Sequence, residues 1–276
     1  MSISIFAKRH FRSRKDGHLQ RVSSIIRGYQ IAEYIGAKLN PLDGFENDIC
    51  VYVKPHVKPG EDMAFSGKAY LDIIDGNNLV HLLQKHPEVS VITCSYASFN
   101  AITNEVTNPV HLIPQHHCNF ERVVNPLREV RTIGCIGTKA AFINIPPQMI
   151  EAIHALGIEF LPFSEFNSRE DIVNFYKKID VQMVWRPYMR GRATLSNPLK
   201  IVNSASFGVP TIALDEIAFR EMRGSYIPVE NEHEFLHMLK ALKESTTMYQ
   251  EMSQKGIQTS ENYHISRIGK LYKDLI

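Results

Sequence analysis

Two cations frame the stretch of this chain best suited to chemistry. Arg186 ends an apolar run, Val181-Gln182-Met183-Val184-Trp185, and Lys200 lies beyond a polar loop, just after Asn197-Pro198-Leu199. The pattern predicts a strand, a loop and then a helix, with Asn197 as the cap and Pro198 at the first helical position. The first turn of such a helix presents free N–H groups to an anion. A lysine in that turn opposes the helix dipole by a few tenths to about 1 kcal/mol, and an anionic ligand would remove that penalty. Arg186 and Lys200 would then clamp a diphosphate and stabilise it as a leaving group. The competing interpretation is two solvated surface cations.

Groups able to move a proton lie at other predicted strand ends. Asp16, His18, Asp75 and the pair His116-His117 are the candidates for a general base. The plain alternatives are hydrogen bonding within a connecting segment for His116 and His117, and capping of a helix over residues 78–85 for Asp72 and Asp75. No metal site is expected. His116, His117 and Cys118 are adjacent, which rarely completes a tetrahedral site, and Asp72 and Asp75 are not spaced as D-x-D. Cys50, Cys94, Cys118 and Cys135 include no C-x-x-C pair; they are expected to be buried, reduced thiols, which points to a reducing compartment. Trp185 is expected in the core rather than as a platform for a base.

The elements that must hold these groups alternate between short apolar runs and helical spacing. Runs over 3–7, 48–53, 69–74, 89–93 and 110–113 predict strands, with helices over 21–35, 78–85 and 96–102. In the first helix the apolar spacing runs through Val22, Ile25, Ile26, Tyr29, Ala32 and Ile35, and Gly36 ends it. A second cycle starts at residues 132–137, continues through helices over 147–156 and 168–177 and strands over 158–161, 181–185 and 209–214, and ends in helix. Such alternation argues for parallel sheets covered on both faces. Ligands in such sheets bind beyond the carboxyl ends of the strands. The polar, proline-bearing segment at 115–130 is expected to link two domains, 1–114 and 131–262.

Bulk composition bounds the rest. The 276 residues carry a net charge of +2, with 44% hydrophobic and 22% charged side chains. This is an ordinary globular balance that excludes a chain dominated by disorder or a protein that binds nucleic acid by overall charge. Local basic stretches remain at 8–15 and 186–192. The apolar start is too short for a signal peptide and no run approaches the length of a membrane span, so a cytoplasmic protein is expected.

Several of these stretches resemble group-1-like glycosyltransferases of the GT-B fold. The helix from Asn197 leads into Ala205-Ser206-Phe207-Gly208-Val209-Pro210, similar to the family's A-x-x-G-x-P turn, and Phe219-Arg220-Glu221 follows. Leu112-Ile113-Pro114 through Arg122 is similar to the family's interdomain crossing, Thr132 to Thr138 to its strand and glycine turn, and Val89 to Ser95 to an earlier strand. The resemblance covers about residues 48–230. It implies two Rossmann-like α/β domains facing a cleft, with residues 263–276 forming a helix that crosses back to the first. It also implies metal-independent transfer from a nucleotide-diphosphate-sugar, which is a substrate, so no cofactor is expected. Donor contacts are expected from Gly137, Thr138, Arg186, Asn197, Lys200, Ile201, Asn203 and Glu221, with Gly137 and Thr138 letting the backbone approach the diphosphate and Asn203 and Glu221 reaching ribose or sugar. The chain departs from the family at the retaining members' E-x7-E acids, where Leu195 and Asn203 stand. The acceptor is open: a glycan, a lipid-linked glycan or a nucleic acid held by the basic stretches. A non-catalytic nucleotide-sugar-binding module is the alternative that the missing acids favour.

Overall fold

Apolar runs of four or five residues, set between turns rich in glycine and proline, form parallel strands in a computed structural model that describes residues 2–7, 22–58, 60–75, 79–138, 141–189 and 196–276. The chain divides into two units. One takes in residues up to 116 together with Ser196, Asn197 and residues 265–276; the other takes in residues from 117 and those from 198 to 264.

In the first unit, β1 (Ile3–Phe6) is followed by a π-helix over Ser24–Gln30 that runs into α1 (Ile31–Ile35). Then come β2 (Lys38–Leu39), β3 (Ile49–Val53), β4 (Lys68–Asp72), α2 (Val80–Lys85), β5 (Ser90–Thr93), α3 (Tyr96–Thr103) and β6 (Val110–Leu112). The strands lie in the order β2-β1-β3-β4-β5-β6, all pairs parallel. Every residue of β3 is buried, as expected of a strand covered on both faces.

Of the helix expected over 21–35, residues 22–35 are described and are helical, but they bury a different face. Ser24, Arg27, Gly28 and Ile31 point inward, while Val22 and Tyr29 are exposed. Two local demands explain the rotation. A Cβ on Gly28 would lie 2.6 Å from that of Ala7, so only glycine lets the helix approach the end of β1 so closely. Arg27 donates through Nε to Asp72 Oδ2 at 2.6 Å and through Nη1 to the Ile113 carbonyl at 2.9 Å. Asp72 is therefore the core partner of Arg27 and does not cap a helix. Asp75 pairs with Lys54, and α2 has Leu79 at its cap position with no side-chain cap bond.

A second buried carboxylate ties the strand entrances together. Asp48 accepts from Ser4 Oγ at 2.7 Å and Lys38 Nζ at 2.8 Å, bringing β1 and β2 to the start of β3. The Lys38 bond, with those of Ser2 and Ser4, holds the Asp48 carboxyl down to about 2. An unfolded aspartate titrates near about 3.9. The folded pKa is the lower one, so this stabilisation is in place above about pH 4 and is lost as pH falls towards 2. Asp48→Asn is expected to be less stable than the native chain at neutral pH, and the difference in thermal midpoint should close between pH 4 and 2. A gap independent of pH would show that the carboxylate's charge contributes nothing.

The second unit runs β7 (Thr132–Ile136), α4 (Pro147–Ala155), β8 (Glu159–Phe163), α5 (Arg169–Lys178), β9 (Val181–Val184), α6 (Leu199–Ser206), β10 (Thr211–Leu214), β11 (Ile227–Val229), α7 (Glu232–Glu244) and α8 (Thr246–Ser260). Its strand order is β11-β10-β9-β7-β8, again with every pair parallel. Ser168 caps α5 in a reciprocal capping box with Asp171. Trp185 packs edge-on against Phe235 in the core, 5.8 Å between ring centroids. The small residues of α6 let α8 come close: a Cβ on Gly256 would meet Ala205 Cα at 3.3 Å.

The last helix, α9 (Ile265–Lys273), belongs to the first unit. It rests on α1 where Gly269 meets the Tyr34 ring, and Tyr272 Oη donates to Asp72 Oδ2 at 3.3 Å. All four cysteines are buried and none forms a disulfide, and burial pushes the Cys94 and Cys118 thiols up to about 12. No helix among the described residues is long and apolar enough to cross a membrane.

Candidate functional site

Three neighbouring strands of the second unit, β10, β9 and β7, deliver polar groups at their carboxyl ends. After β7 comes Gly137, with φ +154°. A side chain there is strained by the backbone and blocked in space: a Cβ would lie 2.7 Å from Ala141 Cβ and 3.0 Å from Lys200 Nζ. After β9 comes Arg186, and after β10 comes Glu216. They form a two-pronged pair, Nε to Oε1 at 2.9 Å and Nη2 to Oε2 at 2.6 Å. The guanidinium also sits 5.2 Å from the centre of the Phe219 ring.

Lys200 joins this group from α6. Its side chain reaches across to β7, where Nζ donates to the Ile136 carbonyl at 2.6 Å. Burial lowers the Lys200 pKa, and the nearby Arg186 charge adds to that effect. Burial likewise raises the Glu216 pKa, against the opposing pull of Arg186. Two cations and one carboxylate thus share a partly desolvated corner beside a glycine turn. The corner carries a net positive charge and borders the first turn of α6, a combination suited to an anion. Neither cation is the solvated surface charge of the competing interpretation.

The remaining expected residues fall in different places. Ile201 is fully buried among Val184, Ala213 and Phe219, so its side chain belongs to the core and offers a ligand nothing. Asn197 does not cap α6. Pro198 occupies the cap position with no side-chain bond, and Asn197 belongs to the first unit, where it donates to Gln115 Oε1 at 3.0 Å and faces Cys94 Sγ at 3.7 Å. A side-chain amide partner there outcompetes the cap, and proline at the cap leaves Leu199 to open the helix.

Asn203 is buried, and its Oδ1 accepts from the Cys118 backbone N–H at 2.9 Å. That bond fastens the segment after residue 116 to α6. Glu221 accepts from Tyr263 Oη at 2.9 Å. Thr138 is exposed beside Gly137. His116 and His117 are both buried; His116 Nε2 pairs with the Ile26 carbonyl at 2.9 Å, and the His117 ring stands 5.4 Å from that of His264. Asp16 and His18, with the basic run at 8–15, lie outside the described residues. Among the described residues no group of histidine, cysteine and carboxylate side chains could hold a metal.

Glu216 falls in the stretch 215–221 that the sequence places at a strand end, but nothing local in the sequence pairs it with Arg186, 30 positions away.

Comparison with solved structures defines the fold. The chain is similar to HepE of Anabaena, solved in complex with UDP and glucose, at TM-score 0.66 and 11% identity, covering 100% of this chain and 99% of that one. It is similar to TarM, at TM-score 0.59 and 10% identity, covering 83% of this chain and 54% of that one. It is also similar to the pneumococcal O-GlcNAc transferase GtfA, solved with UDP and GlcNAc, at TM-score 0.58 and 13% identity, covering 95% of this chain and 61% of that one. The chain thus spans between about half and two thirds of the length of TarM and GtfA. No protein-family model and no curated protein matches it. The two parallel-sheet α/β units are those of the GT-B glycosyltransferase fold.

Proposed function

We propose that the protein is a glycosyltransferase that takes a sugar from a nucleoside-diphosphate donor bound to the second unit. The observation that carries this reading is the convergence of Arg186, Lys200 and the Gly137 turn at adjacent strand ends. Lys200 has three N–H donors, one of them held by the Ile136 carbonyl, and the others would meet phosphate oxygens. Glu216 fixes the plane of the Arg186 guanidinium, so little side-chain freedom is lost when it binds. The Gly137 backbone, with no side chain in the way, admits the diphosphate. As the glycosidic bond to the nucleotide breaks, negative charge grows on the leaving diphosphate, and both cations act where it develops. The same residues would hold the donor's phosphates if the protein bound nucleotide sugars without transferring them.

Asn203 stands where the retaining members' second acid is expected, and its oxygen is engaged by Cys118. Ribose contacts would therefore come from elsewhere, with Glu221 and the exposed Thr138 as the remaining candidates. The test is isothermal titration with UDP and with other nucleoside diphosphates, followed by release of nucleotide from a panel of nucleotide sugars. Nucleotide binding with sugar release supports transfer. Binding without release across a broad acceptor panel supports the binding module, and absence of nucleotide binding overturns both.

A further inference from the structure

We infer that the connection from β3 to β4 is a pH-controlled strap, fastened to the first unit by a histidinium and released when His86 loses its proton. Parallel strands need a crossover between them, and it is usually a helix. Among the described residues of 54–67 no helix forms. The strap therefore lacks a helix's ladder of internal hydrogen bonds and depends on the side chains around it.

Near β4 those side chains are aromatic. Phe65 lies edge-on to Tyr52 of β3, 5.1 Å between ring centroids, and the Ser66 N–H donates to Tyr52 Oη at 2.9 Å. The earlier part of the strap is held by two histidines. His81 Nε2 of α2 meets the Glu61 carbonyl at 3.0 Å. His86, just past α2, reaches the next residue: its Nε2 lies 2.7 Å from Asp62 Oδ1, while its Nδ1 lies 3.1 Å from Glu88 Oε1. The same ring packs edge-on against Phe65 at 5.0 Å. Asn108 Nδ2 donates to the carbonyls of His86 and Val89, both at 2.8 Å, and so fixes the turn that presents His86 and Glu88.

The geometry at His86 selects one protonation state. A neutral imidazole has one N–H donor and one acceptor nitrogen, whereas a carboxylate only accepts. Two carboxylates on one ring are matched only by the imidazolium, which donates from both nitrogens. The surrounding charges agree. Asp62 of the strap and Glu88 of the turn touch the ring, Lys85 of α2 acts on Asp62, and Glu61 pairs with Lys58 within the strap. The bond to Asp62 raises the His86 pKa, partial burial opposes it, and the bond to Glu88 adds to the rise. An unfolded histidine titrates near about 6.5. The folded value is the higher one, so the fastening is complete below about pH 6.5 and is lost as pH rises through the folded value. A neutral His86 still donates to one carboxylate but turns a lone pair towards the other, and the strap loosens ahead of Phe65.

The test uses the full chain. Hydrogen–deuterium exchange is followed by mass spectrometry from about pH 5.5 to 9, across the histidine range, and corrected for intrinsic exchange; NMR of the ring reads the His86 titration. Strap amides should exchange roughly two- to fivefold faster above the His86 midpoint than below it, the scale of one exposed ion pair, with no such step in β9 or β10. His86→Gln should abolish the step, and Glu88→Gln should lower the His86 midpoint. A step that persists in His86→Gln, a His86 midpoint below that of an unfolded histidine, or strap exchange that stays level while His86 titrates overturns the inference.

Discussion

Asp72→Ala is expected to destabilise the protein by about 3–5 kcal/mol, the cost of leaving one member of a buried ion pair without its partner. Arg27 and Asp72 are both fully buried, at 1% and 0% side-chain exposure. The arginine left behind would keep its bonds to the Ile113 and Pro114 carbonyls but would hold an uncompensated charge. Tyr272 would lose its acceptor in the same step, loosening α9 from the sheet. Denaturant titration reads the effect directly. The double replacement Arg27→Met with Asp72→Leu should recover most of the loss, because exchanging a whole buried pair for apolar groups is often neutral. If Asp72→Ala alone proved as stable as the native chain, the pair would not be holding the π-helix and α9 to the first sheet.

The second large effect concerns the donor. Lys200→Met should weaken UDP binding by roughly 10–150-fold, the range of about 1.5–3 kcal/mol for a hydrogen bond to a charged group. Arg186→Ala should be worse than the loss of one contact, because it exposes the diphosphate to Glu216 with nothing between. Glu216→Gln on the Arg186→Ala background should restore part of the affinity by removing that repulsion. Calorimetry on the three variants separates the contributions. Unchanged UDP affinity in Lys200→Met would remove Lys200 from the site.

The parts of this picture that were legible in the sequence share a physical cause. Strands such as β3 and β9 are buried on both faces, so continuous apolar runs reveal them without knowledge of their neighbours. Helix ends with local chemistry, such as Gly36 after α1, are equally plain. Local patterning could not reveal pairings made across long stretches of chain. The buried face of the helix over 21–35 was misread because Arg27 looks like a solvent-facing residue until Asp72, 45 positions later, comes alongside it. Asn197 reads as a cap because its partner Gln115 is 82 positions away. The same holds at the candidate site. The strand–loop–helix pattern marks Arg186 and Lys200 as candidates, whereas the Ile136 carbonyl that orients Lys200 and the pairing of Glu216 with Arg186 lie beyond its reach. The two-residue β2 and the proline-bearing β11 were invisible for a simpler reason: neither is long enough to show a period.

The tether between Lys200 and the end of β7 also sets how the corner would respond to dissolved salt. Exposed cations are screened over about 10 Å at 0.1 M ionic strength, whereas desolvated ones are screened much less. Lys200 is half-buried and Arg186 is 17% exposed. Potassium chloride should therefore cost this corner less affinity for a diphosphate than it costs a patch of free surface lysines.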